Sequence, residues 1–469
     1  MSVIETSHPP GAGSQLSTGF KQRHVSMISI AGIIGAGLFV ASGHAIASAG
    51  PATILAYAST GVLVILIMRM LGEMAVASPD TGSFSTYAER AIAPWAGFTI
   101  GWLYWWFWVL LIPWEALAGG AILNSYFPDV PVWQFAFGMT ALLTLTNLLS
   151  VGKYGEFEFW FAMIKVIAIL AFIAFGFCAL TGLLPFHAAG VVVLTVQHGG
   201  FMPNGFGAVV GALLTTMFSF IGTEAVTIAA AESANPEKQI AKATRSVIWR
   251  ICIFYLGSIF IVISVVPWND PLLPSHGAYQ RTLEVLGIGN AKLLIDAVIV
   301  ASVASCLNSA IYISSRMLFS LAHRGDAPRF VGRTSGGGVP RGAVMASTLV
   351  GLATTAINFL APASVFNFLI STSGAIALLV YLVIAVSQLR GRRDLLRRGG
   401  PIVCRMWLYP YLTWATILFI CGALTTMAFL PEHRGEIVAT GTLTLAIIII
   451  GMVRQNRNID PTPEAVPAA

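Results

Sequence analysis

Gly32-Ile33-Ile34-Gly35-Ala36-Gly37 interrupts the first long apolar run of the chain, from about Ser26 to Ala47. Each glycine costs a helix interior about 1 kcal/mol against alanine, and it lets another backbone or a ligand approach closely. Two readings follow. Either the small residues form a close helix–helix packing face, or the helix breaks here. Non-helical backbone at membrane depth is tolerated only where it is buried in protein or lines a cavity. A break would leave free amides at the start of a second half-helix, from Leu38 onward, and such amides attract anions such as a carboxylate.

The rest of the chain puts this run in a membrane. Of 469 residues, 56% are hydrophobic and only 10% charged. The mean hydropathy is +0.80, which excludes a soluble globular class. A bilayer core of roughly 30 Å needs about 20 apolar residues as a helix. Twelve stretches qualify: 26–47, 52–76, 96–124, 132–151, 157–182, 204–231, 247–268, 290–319, 342–360, 363–388, 407–429 and 436–453. They are called segments 1 to 12. With the N-terminus inside, 22 of the 26 Lys and Arg fall on the cytoplasmic side. Arg281, Lys292 and Arg434 fall outside, and Lys165 lies within a span. Both termini are therefore expected in the cytoplasm of a multi-pass membrane protein. The net charge of +6 reads as a topology signal; membrane lipid is a secondary partner and nucleic acid is not expected.

Residues 1–20 are polar and carry Pro9 and Pro10, which predicts a disordered cytoplasmic tail rather than a cleaved signal. The stretch 78–93 is too polar to span and is expected at the cytoplasmic face. The five cysteines form no metal or redox spacing. There is no P-loop, HExxH or GxSxG, so neither enzymatic chemistry nor a cofactor is expected.

Segment 6 carries a second interruption, Phe218-Ser219-Phe220-Ile221-Gly222-Thr223-Glu224. Two interrupted helices in corresponding positions point to a transporter site built on repeats. A repeat of five helices reverses direction in the membrane. Segments 1–5 (about 21–185) and 6–10 (about 200–390) are then related by a two-fold axis in the membrane plane. Segments 11 and 12 (about 405–455) lie outside the repeat, and 456–469 form a cytoplasmic tail. A channel or a membrane amino acid sensor needs no such pair of breaks.

These residues resemble the amino acid permeases of the amino acid–polyamine–organocation superfamily, in the bacterial amino acid transporter group. The matching motifs are Gly35-Ala36-Gly37, Ala49-Gly50-Pro51, Gly72-Glu73-Met74, Pro79-Asp80-Thr81-Gly82-Ser83-Phe84, Glu156-Phe157-Glu158-Phe159-Trp160, the second interruption, and Ser309 to Arg324. The resemblance covers roughly residues 20–455. Within the group, Gly101 to Trp108 and Gly200 to Gly207 look most like GABA permeases. The resemblance implies an all-α, leucine-transporter-like five-plus-five fold with segments 1 and 6 broken. It also implies proton-coupled uptake of a small amino acid, 4-aminobutyrate (GABA) first, with aromatic, proline or small neutral substrates as the alternative.

The candidate substrate-binding residues are Ile33, Gly35, Ala36 and Gly37 at the first break, and Phe218, Ile221 and Glu224 at the second. The substrate carboxylate is expected at the amides of Gly35 to Gly37, and its amine at freed carbonyls near Phe218 and Ile221. In the family, the Phe218 position is an aromatic that closes over substrate. Glu224 either relays protons and meets the amine, or simply bonds the unwound backbone. Lys165 lies about nine residues into segment 5, roughly 13 Å of helix. Its two readings are a snorkelling lysine and a coupling group; in relatives of the fold it resembles a stand-in for a sodium ion between segments 1 and 8. No carboxylate partner for it is evident in the sequence. Glu115 reads equally as interfacial or functional. Glu73, Glu156 and Glu158 are expected in interfacial ion pairs with Arg69 or Lys153, and Asn308 in a bond between helices.

Overall fold

The computed structural model describes residues 16, 19–31, 34, 36–39, 41–183, 199–335, 337–360, 369, 372–373, 375–397, 402 and 404–459. Among these residues the chain is helical, and its one β-type pairing is an isolated parallel bridge between Phe20 and Ser233. The helices are α1 (Gln22–Ala31), α2 (Ala36–Phe39), α3 (Ala41–Ala49), α4 (Thr53–Ala77), α5 (Phe84–Ala91), α6 (Pro94–Tyr126), α7 (Val132–Leu148) and α8 (Val151–Leu180). They continue with α9 (Gly205–Phe220), α10 (Ala225–Ala231), α11 (Pro236–Val265, with a π-helical stretch Ile251–Gly257), α12 (Leu273–His276) and α13 (Ala278–Val285). The last are α14 (Ala291–His323), α15 (Arg341–Leu360), α16 (Ile376–Arg397), α17 (Tyr411–Phe429) and α18 (Pro431–Ile459).

Eight of the described stretches are long and apolar enough to cross a membrane. They correspond to segments 2, 3, 5, 7, 8, 9, 11 and 12. Segments 1 and 6 are interrupted, and segment 4 is a helix of 17 residues. The first part of segment 10 lies mostly outside the described residues. Segment boundaries shift where a polar start was not counted. Segment 5 opens at Val151, six residues before the expected 157, because Ser150 caps it with its side chain accepting from the Lys153 amide. Segment 7 opens at Pro236, where proline suits a first turn whose amide has no partner anyway.

The stretch 78–93 forms no membrane-spanning helix. It folds into α5, whose Phe84, Ser85, Thr86, Tyr87 and Ala88 are buried. Asp80 turns it by accepting from the Gly82 amide at 2.7 Å and from Thr86 Oγ1 at 2.9 Å.

The bundle is built around α14 and α6. These are the two 33-residue helices, each about 50 Å long at 1.5 Å per residue, and they pack along one another. Of the most apolar stretch of α14, 67% is buried; for α18 the figure is 17%, which makes α14 the centre and α18 the periphery. The aromatic run of α6 divides accordingly. Tyr104, Phe107 and Trp108 are buried, while Trp102, Trp105 and Trp106 are half-buried.

α13 packs onto the bundle through Tyr279. Its ring centroid lies 4.9 Å from Phe39 and 4.5 Å from Phe172, and its hydroxyl donates to Ser258 Oγ at 2.7 Å. Elsewhere in the bundle, Arg316 pairs with Glu232 at 2.9 Å, both 1% exposed. Tyr312 donates to the same carboxylate at 2.8 Å and stacks on Tyr154 with centroids 4.4 Å apart.

Candidate substrate and coupling site

Segment 1 is broken. α1 ends at Ala31, helix resumes at Ala36, and Ile34 between them is buried with its carbonyl outside any helical ladder. That carbonyl accepts from Lys165 Nζ at 2.8 Å and from Ser302 Oγ at 3.3 Å. Ile33 and Gly35 lie outside the described residues. Ala36 and Gly37 open α2, so the amides of its first turn have no partner within the helix. The packing-face reading of this stretch therefore gives way to the break.

Lys165 is fully buried on α8. It stands 14 residues from the observed start of the helix, about 21 Å at 1.5 Å per residue, beyond the reach of a snorkelling side chain. Besides Ile34, its Nζ donates to Ser305 Oγ on α14 at 2.9 Å. One ammonium thus joins the unwound part of segment 1 to segment 8.

The sequence reading missed its carboxylate neighbour. Glu158 is not in an interfacial ion pair: it is fully buried, accepts from Ser305 Oγ, and accepts from Asn308 Nδ2 at 3.0 Å. Ser305 therefore lies between Lys165 and Glu158. Asn308 continues the chain of bonds, its Oδ1 accepting from Thr146 Oγ1 at 2.9 Å and from Asn147 Nδ2 at 2.8 Å, so it does bond between helices. A signal was present. Positions 158 and 165 are seven apart, two helical turns on one face, and Ser302, Ser305 and Asn308 recur at a spacing of three along α14.

Glu73 and Glu156 do make ion pairs, with partners from elsewhere in the chain. Glu156 pairs with Arg23 at 2.6 Å and with His24 at 3.0 Å. Glu73 is 3% exposed and accepts from Arg392 at 3.2 Å, Gln388 Nε2 at 2.9 Å and the Met406 amide at 2.7 Å. Arg69 donates instead to the Arg405 carbonyl.

Segment 6 is broken at 221–224. α9 ends at Phe220, Ile221 is extended with ψ 138°, and Gly222 takes φ +101°, a conformation that penalises any side chain. Glu224 is 2% exposed. Its carboxylate accepts from the Gly222 amide at 3.3 Å and from the Tyr104 hydroxyl of α6 at 3.0 Å. The backbone-bonding role holds, and Tyr104 was not foreseen. Two freed carbonyls are already taken: Phe220 O accepts from Thr223 Oγ1 at 2.7 Å, and Ser219 O accepts from the Tyr255 hydroxyl. Ile221 is half-buried, and the Phe218 side chain lies outside the described atoms. Glu115 is buried on α6 rather than interfacial, and its Oε2 has no hydrogen-bond partner among the described residues.

Comparison with known proteins agrees with this architecture. The amino acid permease family profile matches residues 24–457. A "Probable GABA permease" of Pseudomonas aeruginosa is 64% identical over 456 residues, covering 97% of this chain and 96% of that one. The "Gamma-aminobutyric acid permease" of Escherichia coli is 58% identical over 434 residues, covering 92% and 93%. An aromatic amino acid transport protein of Corynebacterium glutamicum is 36% identical over 444 residues, covering 94% and 96%. Among solved structures, a manganese transporter of Eremococcus coleocola matches with a TM-score of 0.57 at 12% identity, over 96% of this chain and 98% of that one. That likeness bears on the fold alone and agrees with the leucine-transporter-like class. The chain belongs to the amino acid permease family: it is an all-helical, polytopic membrane transporter of amino acids and not an enzyme.

Proposed function

We propose that this permease takes up GABA across the bacterial inner membrane together with protons, with both termini in the cytoplasm. The first 20 residues and those after 455 are tails around a 21–455 transport domain of two five-segment repeats plus segments 11 and 12. The observation that carries the coupling is the Lys165 ammonium held between Ile34 O and Ser305 Oγ. A cation in that place braces segments 1 and 8. A neutral amine forfeits the charge-assisted strength of both bonds. Protonation then favours the arrangement in which the two segments are joined, and deprotonation favours release. A ligand biases two states only through such differential contacts. Sodium has no part in the cycle.

In this reading the GABA carboxylate sits at Ile33 and the amides of Gly35, Ala36 and Gly37. The amine reaches the second break, where the Ile221 carbonyl and Glu224 attract it and Phe218 covers it. The relatives named for GABA, at 64%, 58% and 47% identity, support this substrate over the aromatic amino acids named for relatives at 36–37%. A competition panel against labelled GABA in reconstituted vesicles tests it. GABA is expected to compete at the lowest concentration; stronger competition by phenylalanine, proline or alanine would replace GABA as the substrate.

A further inference from the structure

At one end of the bundle, α4, α11 and the turn before α17 hold an excess of guanidinium groups. Arg69 on α4 lies over the Trp407 ring at 4.0 Å and donates to the Arg405 carbonyl at 2.7 Å. Its Nε is buried without a hydrogen-bond partner among the described residues. Arg245 lies on α11, which packs along α4 with Thr244 against Gly72, and both arginines act on buried Cys404. Arg405 is itself exposed. The carboxylate in range is Glu73, and its oxygens are already occupied by Gln388, Arg392 and the Met406 amide. Positive charge is thus gathered here without, among the described residues, a carboxylate free to balance it.

The surround of this cluster is apolar and aromatic. Trp249, one turn along the same face of α11 as Arg245, is 70% exposed. Trp407 is 43% exposed, Leu408 74% and Tyr411 79%. Arginines rimmed by exposed tryptophan and tyrosine, at the point where an apolar segment gives way to charge, are what a headgroup-level surface of a membrane protein presents. A free anion would satisfy the guanidinium forks but leave this apron facing water. We propose that Arg69, Arg245 and Arg405 form a binding site for one anionic phospholipid, whose phosphate enters between the guanidiniums and whose glycerol and upper chains lie on Trp407, Tyr411 and Trp249. Guanidinium forks match phosphate oxygens in pairs, which a zwitterionic lipid with its own ammonium satisfies less well. The leaflet concerned is the cytoplasmic one if the orientation proposed above holds; the site itself does not depend on that orientation. Because the lipid touches α4, α11 and the turn into α17 at once, it bridges segments 2 and 7 to a helix outside the repeat.

The test is native mass spectrometry of the full chain in detergent, titrated with dioleoyl-phosphatidylglycerol or dioleoyl-phosphatidylcholine. The native chain is expected to retain one phosphatidylglycerol at least tenfold more tightly than phosphatidylcholine. Arg69→Gln/Arg245→Gln is expected to abolish that preference, and Arg393→Gln/Arg397→Gln, an equal change of charge at exposed positions of α16, to keep it. If the double variant fails to fold, Arg245→Gln alone, at an exposed position, is expected to lower the preference several-fold. An unchanged preference in the Arg245 variants overturns the proposal. So does loss of bound lipid when millimolar inorganic phosphate is added, which would mark a site for a free anion.

Discussion

Replacing Lys165 by methionine removes the ammonium while keeping most of the volume of the side chain. The hydrogen bonds lost include those to Ile34 O at 2.8 Å and to Ser305 Oγ at 2.9 Å. Hydrogen bonds to a charged group contribute about 1.5–3 kcal/mol each. If the joined arrangement of segments 1 and 8 loses about 3 kcal/mol, its population relative to the open one falls by more than a hundredfold, at 1.36 kcal/mol per decade. Removing the cation also leaves the buried Glu158 to hydroxyl and amide donors, Ser305 and Asn308 among them, and an uncompensated buried charge is destabilising. Lys165→Met/Glu158→Gln is therefore expected to express better than Lys165→Met. Both variants are expected to lose uptake driven by a pH gradient, and any residual exchange of labelled for unlabelled substrate should be indifferent to pH. Lys165→Arg is expected to fail as well, because a guanidinium does not release its proton near neutral pH. The assay is paired uptake and exchange in vesicles, normalised to protein incorporated. Gradient-driven accumulation near the native level in Lys165→Met/Glu158→Gln would refute the reasoning.

Other perturbations are as direct. Gly37→Leu is expected to abolish uptake with normal membrane levels, since a side chain there would fill the proposed carboxylate site; unaltered uptake would exclude it. Gly222→Ala forces a side chain into φ +101°, at a cost of order 1–3 kcal/mol, and is expected to lower thermal stability and uptake together. Tyr104→Phe removes one of the donors to the Glu224 carboxylate and is expected to weaken GABA uptake about tenfold, the scale of one hydrogen bond to a charged group. In the turn before α12, burial pushes the Asp270 carboxyl up, but bonds from Arg281 and the Leu272 amide outweigh it and hold the group below the usual range. A carboxyl lowered in the folded state contributes stability that is fully present above its unfolded value, about pH 4, and is lost as pH falls through the folded value. Hydrogen exchange across 270–286 is therefore expected to accelerate below about pH 4, with Asp270→Asn removing that dependence. An active cytoplasmic reporter fused at Ala469 would support the orientation, and a silent one would reverse it.

The two breaks were legible because glycine inside an apolar run has few other uses, and both fell where the sequence placed them. Lys165 was legible because an ionisable residue at that depth is costly enough to need a partner. What it touches was not legible. Ser305 and Ile34 are brought to it by packing across 140 and 131 positions of chain. Glu158 was misread because segment 5 was started at 157, where its first apolar run begins. The true start at Val151 moves that carboxylate from the interface into the bundle. Tyr104 was hidden inside an aromatic run in which six of seven residues are aromatic, so that composition alone could not say which ring faced the second break. The ion-pair partners of Glu73 and Glu156 lay far along the chain, and proximity in sequence pointed to the wrong arginine and lysine.

The most direct test of proton-driven GABA uptake is proton entry into vesicles that hold the native chain and a trapped pH indicator. Addition of external GABA is expected to acidify the lumen at the same rate with and without sodium. Acidification that requires sodium, or uptake of labelled GABA with no acidification, would contradict the account.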